Sequence, residues 1–137
     1  MVITELAGGY VVMGDTQFLP GYCVLLPKRH VASLNDLKLK ERVEFLKDMS
    51  LLGDAILKAC RVERINYDIL GNTDHFLHAH VFPRYKTETA KRLTRPVWLY
   101  EPCFWTAVKY QYDDKKHGEI RQAIAEELKR EVEEKSE

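Results

Sequence analysis

The segment 75–85 constrains the fold of this chain more than any other. Residues 76–82 are apolar or aromatic apart from His78 and His80, and a proline follows them. Because strand side chains alternate between faces, His78 and His80 are predicted to share one face with Phe76. An imidazole near neutral pH serves as a nucleophile, a general base or a metal ligand. We therefore predict a half-buried strand over 76–82 that presents two adjacent imidazoles.

The other periodicities indicate one sheet with two helices. Apolar runs separated by a turn predict an antiparallel hairpin, and apolar residues three and four apart predict a long helix capped by Asp36 and a C-terminal helix. The apolar face of the long helix fits packing on the sheet better than a dimer or ligand contact. The order β-β-α-β-β indicates an antiparallel α+β domain. The predicted strands are 9–13, 22–26, 64–70 and 76–82, and the predicted helices are 36–60 and 116–135.

Composition narrows the classes of function. With 137 residues, 45% of them hydrophobic, the chain fits a single domain over 1–137 with its own core. Equal numbers of acidic and basic residues argue against a protein that coats nucleic acid. The three cysteines are odd in number and lack a CxxC spacing, which favours reduced thiols in a cytoplasmic protein. Neither a signal peptide nor an apolar run of about 20 residues is visible, so no membrane partner is expected.

Two motifs resemble the histidine triad (HIT) superfamily of nucleotide hydrolases and transferases, in particular its bacterial diadenosine-polyphosphate hydrolase-like members. The residues from Phe76 to His80 match the signature His-x-His-x-His, with Phe76 in place of the first histidine. The run Pro-Gly-Tyr-Cys-Val-Leu-Leu-Pro-Lys-Arg-His at 20–30 is similar to the family's second strand and its Pro-Lys-x-His exit. The resemblance covers about 9–85 and leaves 86–137 as a C-terminal extension. It implies a HIT-like α+β fold, an antiparallel sheet of about five strands with a long helix and a C-terminal helix packed on it.

The resemblance also implies a site. His78 takes the place of the family's nucleophile, which attacks the α-phosphate of a nucleotide or dinucleoside polyphosphate. His80 takes the place of a histidine that contacts phosphate oxygens or holds the site together. Asn72 and Thr73 lie where the family carries its phosphate-contacting loop. Asp15 lies, after a one-residue gap, where many members bind the ribose hydroxyls. The implied activity is nucleotide hydrolysis through a nucleotidyl-histidine intermediate, which divides one difficult substitution into two easier ones.

The chain departs from the family pattern at two positions. Phe76 and Tyr22 both stand where many members carry a histidine, although the Tyr22 hydroxyl could still bond to a phosphate or to a histidine. These changes favour a second hypothesis, a nucleotide-binding module with little or no turnover. Within the enzyme class, phosphoramidate hydrolysis and nucleotidyl transfer are rivals, because the same nucleophile serves all of them. Arg84 is predicted either to reach a distal phosphate or to cap the strand end in solvent.

Cofactors and partners are expected from the same resemblance. No cofactor is required, although a divalent cation such as Mg²⁺ is possible. A zinc site on His78 and His80 would need further ligands from His75, His30 or Asp15, and we predict no metal ligands. The expected partners are a nucleotide substrate and a second copy in a homodimer, without nucleic acid or membrane. The aromatic cluster is predicted to pack the extension onto the sheet or a partner chain, with base stacking as the alternative; it consists of Trp98, Tyr100, Phe104 and Trp105.

Overall fold

The computed structural model describes residues 2–135. Within that range, five strands form one antiparallel sheet in the order β1-β2-β3-β5-β4. The strands are β1 (Val2–Glu5), β2 (Gly9–Met13), β3 (Cys23–Pro27), β4 (Arg64–Asp68) and β5 (Ala79–Arg84). The helices are α1 (Leu39–Cys60), α2 (Ala90–Leu93), α3 (Pro102–Thr106) and α4 (Asp114–Lys135). This arrangement confirms the predicted HIT-like α+β fold.

The two faces of the sheet contribute to two different hydrophobic clusters. One face contributes alternate residues such as Val11, Leu25 and Val81 to a core shared with α1 and α4. The opposite face carries Tyr22 and Phe82 into a second cluster, which the segment after β5 covers. Because side chains of a strand alternate, one apolar run supplies both layers. Among residues 2–135 no helix is both long enough and apolar enough to cross a bilayer.

The predicted hairpin is confirmed, while several strand limits were wrong. β2 pairs with β3 from Gly9 opposite Pro27 to Met13 opposite Cys23, so Pro27 belongs to the strand that it was expected to stop. β5 begins at Ala79 rather than at Phe76, and it continues through Pro83. The pairing of β3 with β5 ends at Val81, so β5 has a single neighbouring strand at Pro83. A proline, which lacks an N–H, is tolerated at such a place.

Two further differences between the predicted and the observed strands concern the two edges of the sheet. β4 ends at Asp68, two residues before the predicted end at Leu70, because its pairing with β5 ends where Asp68 lies opposite His80. β1 was missed by the pattern, since its four residues are too few to show a convincing alternation. It pairs with β2 and forms one edge of the sheet, and β4 forms the other.

The long helix α1 begins later than predicted. Asp36 is not its N-cap, because its carboxylate accepts hydrogen bonds from the backbone N–H and the hydroxyl of Ser33 in a preceding 3₁₀ turn. Lys38 is the N-cap, and Glu41 accepts from the Lys38 backbone N–H at 3.0 Å. The expected buried face is confirmed, since Phe45, Leu52 and Ile56 are inaccessible to solvent.

The C-terminal helix α4 packs along α1. Ile124 and Leu128 are fully buried in the shared core. Glu131 is buried beside them, where its carboxylate pairs with Lys58 of α1 and Lys135 of its own helix. These contacts fix α1 and α4 as one layer behind the sheet, which leaves the opposite face for the histidines.

Candidate active site

The histidines lie on the sheet face that the segment after β5 covers. The aromatic rings of Phe76, His78 and His80 follow one another, with ring centroids 4.6 Å and 4.7 Å apart. Leu77 and Ala79, between them, point into the core on the other side. The alternation read from the sequence is therefore correct for these side chains, even though the strand formally begins at Ala79.

The His78 imidazole is oriented by the backbone just before it. Its Nδ1 lies 2.8 Å from the carbonyl oxygen of Phe76, and only 9% of the residue is exposed. Because a carbonyl oxygen accepts, we assign the proton to Nδ1. In the neutral ring Nε2 then carries a free lone pair, which is the requirement for a nucleophile.

The His80 imidazole takes the opposite tautomer. The Tyr22 hydroxyl lies 2.6 Å from His80 Nδ1. Burial, reinforced by Asp15, raises the pKa of Tyr22, so the phenol keeps its proton, and we assign the hydroxyl as the donor to Nδ1. Burial, and then the neighbouring His78, lowers the pKa of His80 to about 4, so the ring is neutral at pH 7. Its Nε2 therefore bears hydrogen and is a donor for an acceptor such as a phosphate oxygen.

These two rings face a cavity of about 630 Å³. Tyr22, Asn72, Thr73 and Asp15 line it together with the histidines, so the structure brings together six of the seven residues that the sequence singled out. Asn72, Thr73 and Asp15 are exposed at its rim, available to a ligand. Part of its apolar lining comes from β2 and β3, through Val12, Val24 and Leu26.

Arg84 does not reach this cavity, and the structure contradicts a phosphate contact for it there. Its side chain is 3% exposed, and its guanidinium donates to both carboxylate oxygens of Glu88. The same group donates to the Asn66 side chain and to the carbonyl oxygens of Arg92 and Arg95. Nor does it cap a strand end in solvent: it ties the segment after β5 to the sheet.

Arg84 belongs instead to a separate, larger concavity along β4, of about 980 Å³. That concavity contains no histidine and no residue of the 71–74 loop. We take the smaller cavity as the candidate site, because two imidazoles, a phenol hydroxyl and exposed polar side chains converge there.

Two residues of the cavity wall come from the C-terminal extension. Trp98 lies edge-on to His80 with ring centroids 4.7 Å apart, and Trp105 stacks on Trp98 at 4.9 Å with an interplanar angle of 9°. The expected packing of the aromatic cluster on the sheet is observed, since Phe82 contacts both indoles. The sequence showed the clustering, but no spacing connects Trp98 with His80 across so much intervening chain.

The zinc alternative finds no support around the two histidines. Within residues 2–135, no group of three or more histidine, cysteine, aspartate or glutamate side chains is placed to hold a metal ion. His80 Nδ1 is engaged by Tyr22 and His78 Nδ1 by a carbonyl oxygen. His30 lies beyond Phe76, with ring centroids 6.2 Å apart, on the far side from His80.

Comparisons with known proteins match both the fold and the motifs. A family model described as HIT domain matches residues 2–87. No curated protein matches the chain. A histidine triad (HIT) protein from Sinorhizobium meliloti 1021 is similar, with a TM-score of 0.79, 22% identity, and coverage of 93% of this chain and 88% of that one.

Two further solved structures are similar over nearly the whole chain. A histidine triad protein from Marinobacter aquaeolei VT8 has a TM-score of 0.79 and 19% identity, covering 95% of this chain and 89% of that one. The diadenosine triphosphate hydrolase of Plasmodium falciparum, solved in complex with cyclomarin A, has a TM-score of 0.61 and 15% identity, covering 99% of this chain and 78% of that one. At these identities the structures support the fold.

Proposed function

Because the chain belongs to the HIT domain family, we propose that it is a nucleotide hydrolase that acts at the α-phosphate through a nucleotidyl-His78 intermediate. The observation that carries the proposal is the pair of hydrogen bonds at the two Nδ1 atoms, from which we assigned opposite tautomers to the two rings. His78 is held with a lone pair on Nε2, and His80 is held with a proton on Nε2. One ring is therefore prepared to attack phosphorus, and its neighbour is prepared to donate to a phosphate oxygen.

In the first step, His78 Nε2 attacks the α-phosphorus. A P–N bond forms, the bond from phosphorus to the leaving-group oxygen breaks, and a polyphosphate leaving group departs with the electron pair of that bond. His80 Nε2–H donates to a non-bridging oxygen, where negative charge is concentrated. Donors already in place stabilise such charge without reorganisation. The exposed Asn72, on the same cavity, is positioned to add its amide N–H.

In the second step, water attacks the phosphoramidate. A P–O bond forms, the P–N bond breaks, and the electron pair of that bond returns to His78 Nε2. The proton lost by water passes to solvent, and a nucleoside monophosphate leaves. Throughout, the Phe76 carbonyl oxygen accepts from His78 Nδ1–H, so it stabilises the positive charge that the ring carries while Nε2 is bonded to phosphorus. Asp15, exposed at the rim, is proposed to hold the ribose hydroxyls.

A second candidate is a nucleotide-binding module with little turnover. Phe76 favours it, since its ring contacts His78 at 4.6 Å and offers no polar group to a phosphate. Phosphoramidate hydrolysis and nucleotidyl transfer use the same attack on phosphorus and differ in the leaving group and the final acceptor. Incubation with an anhydride and with a phosphoramidate distinguishes the two hydrolytic activities from each other and from the binding module.

The direct test is intact-mass spectrometry at neutral pH after incubation with diadenosine tetraphosphate and, separately, with an adenosine phosphoramidate. We expect an adenylyl adduct that maps to His78, with AMP as product, and neither in His78→Ala. His75→Ala is the matched control, because His75 is exposed and lies outside the cavity lining. Absence of adduct and product, in a protein that AMP protects against heat, would replace the hydrolase with the binding module.

The proposal extends to cofactor, assembly and compartment. The protein requires no resident metal, and any Mg²⁺ would arrive with the polyphosphate substrate, so EDTA should change KM more than kcat. We propose a homodimer, which light scattering tests directly. We also propose a reducing compartment such as the cytoplasm, because Cys23, Cys60 and Cys103 are all free thiols.

A further inference from the structure

We propose that Trp98 and Trp105 form the platform on which the nucleobase stacks, so that the C-terminal extension supplies the base contact of the site. The inference rests on the proposed function, since it orients the same nucleotide. Both residues lie beyond the matched HIT domain, which ends at residue 87. Both line the cavity of the two histidines, and both stay partly exposed although they stand among buried aromatic residues.

The two indoles are fixed through their polar edges. Trp98 Nε1 donates to the Asp68 carboxylate at 3.1 Å, and Trp105 Nε1 donates to the carbonyl oxygen of Tyr100 at 3.3 Å. Neither N–H then needs a ligand, which leaves the carbon atoms of the two rings for contact with one. Rings held in advance lose little freedom when a base stacks on them, which favours binding.

The groups along the cavity follow the order of a nucleoside 5′-phosphate. Starting from His78, the next ring is His80 at 4.7 Å, then Trp98 at 4.7 Å, then Trp105 at 4.9 Å. A phosphate at His78 therefore has an aromatic surface within reach on the His80 side of the cavity.

Asp15 lies at the tryptophan end of this series. Its backbone carbonyl oxygen accepts from the Tyr112 N–H at 2.7 Å, and the Thr16 hydroxyl donates to the carbonyl oxygen of Phe104 at 2.8 Å. These bonds join the turn that carries Asp15 to the segment that carries Trp105. A carboxylate that can accept from ribose hydroxyls thus stands beside the platform, and base, ribose and phosphate each meet a matching group.

The platform also predicts the kind of selectivity. Stacking uses the π-face that every base has. It therefore distinguishes a nucleotide from a ribose phosphate that lacks a base better than it distinguishes one nucleobase from another. We therefore expect nucleotides of several bases to bind, and ribose 5-phosphate to bind weakly.

Tryptophan fluorescence tests the proposal directly, because the chain contains two tryptophans and both are in the platform. We would titrate the protein with AMP and with ribose 5-phosphate and record tryptophan emission. Isothermal titration calorimetry would measure the affinity for each ligand independently. AMP should quench the emission, and ribose 5-phosphate should bind roughly 5- to 150-fold more weakly without quenching, the range expected for one stacked base. Equal affinities, or AMP binding with unchanged emission, would overturn the platform.

A variant pair assigns the effect. Trp105→Leu should lower the affinity for AMP and leave the affinity for ribose 5-phosphate unchanged. A merely structural role for Trp105 would not produce this difference between the two ligands. Phe104→Leu is the control, because Phe104 is the neighbour of Trp105 and packs on Phe18 and Tyr110 without lining the cavity. If Trp105→Leu lowered the affinities for AMP and for ribose 5-phosphate by the same factor, the platform would be refuted.

Failure of this inference is distinguishable from failure of the proposed hydrolase. A His78 adduct together with equal binding of AMP and ribose 5-phosphate would leave the hydrolase intact and remove the platform. Quenching by AMP without any adduct would leave the platform intact and remove the hydrolase.

Discussion

Tyr22→Phe is the most informative single change, because it removes one oxygen atom and keeps the ring. The Tyr22 ring stacks on Phe82 with centroids 4.3 Å apart, and this contact survives the substitution. What is lost is the donor, 2.6 Å away, that holds His80 Nδ1 as an acceptor. Tyr22 is 6% exposed, so water replaces the hydroxyl poorly.

The expected size follows from an unsatisfied buried group. Leaving a buried acceptor without its donor costs about 1–3 kcal/mol, well above the net value of the average hydrogen bond. With a urea m-value of about 1–3 kcal/mol/M, the unfolding midpoint should fall by roughly 1 M. His80 is also freed to take the other tautomer, in which Nε2 no longer donates to phosphate. We therefore expect kcat to fall roughly tenfold, the factor for about 1.4 kcal/mol, with a smaller change in KM.

The assay is urea unfolding together with steady-state hydrolysis of diadenosine tetraphosphate. Tyr112→Phe is the matched control, since it also deletes a phenol hydrogen bond, to Asp114 at 2.7 Å, but in an exposed position. The control should change the unfolding free energy by less than about 0.5 kcal/mol. If Tyr22→Phe behaved like the control in both measurements, the role assigned to this hydrogen bond would be refuted.

Three further changes probe other parts of the structure. Between pH 6.5 and about 4 the unfolded chain binds a proton at His80 that the folded protein excludes, so the free energy of unfolding should decrease as the pH is lowered through this window. Urea midpoints measured at several pH values should show a smaller decrease for His80→Gln and an unchanged decrease for His75→Gln, at an exposed position. Arg84→Met should lower the unfolding free energy by about 3–5 kcal/mol, because it leaves a buried carboxylate unpaired. Lys86→Met, which breaks an exposed pair, should cost less than about 1 kcal/mol in the same unfolding assay. Asn72→Ala should lower kcat for diadenosine tetraphosphate by roughly tenfold, less than the loss typical of a preorganised, water-excluded donor because Asn72 is exposed, while AMP affinity stays nearly constant.

The sequence predicted the sheet and the histidine face because both depend on local alternation. Apolar periodicity places Leu77 and Ala79 in the core and His78 and His80 opposite, whatever the strand limits are. Those limits depend on the neighbouring strands, so the ends of the strands around Pro27 and the histidines were predicted less well.

The arrangement of the extension was not predictable, because specific polar contacts rather than a periodic apolar pattern hold it in place. Its helices α2 and α3 have four and five residues, too few for a periodic signal. Arg84 fixes the segment by donating to the carbonyl oxygens of Arg92 and Arg95. An arginine at a strand end reads as solvent-exposed in sequence, and its burial becomes visible once Glu88 is seen to face it.

The two departures from the family pattern weaken the case for hydrolysis less than their chemistry suggests. A histidine at position 22 could donate to His80, but it could also accept or become charged, whereas the Tyr22 phenol remains a neutral donor across the physiological range. At position 76 the contact that orients His78 comes from the backbone carbonyl, which any residue there supplies. At both positions the chain thus supplies a hydrogen bond to the neighbouring imidazole. The two replacements remove imidazoles that could transfer protons or contact phosphate, and His78 keeps the hydrogen bond that orients it.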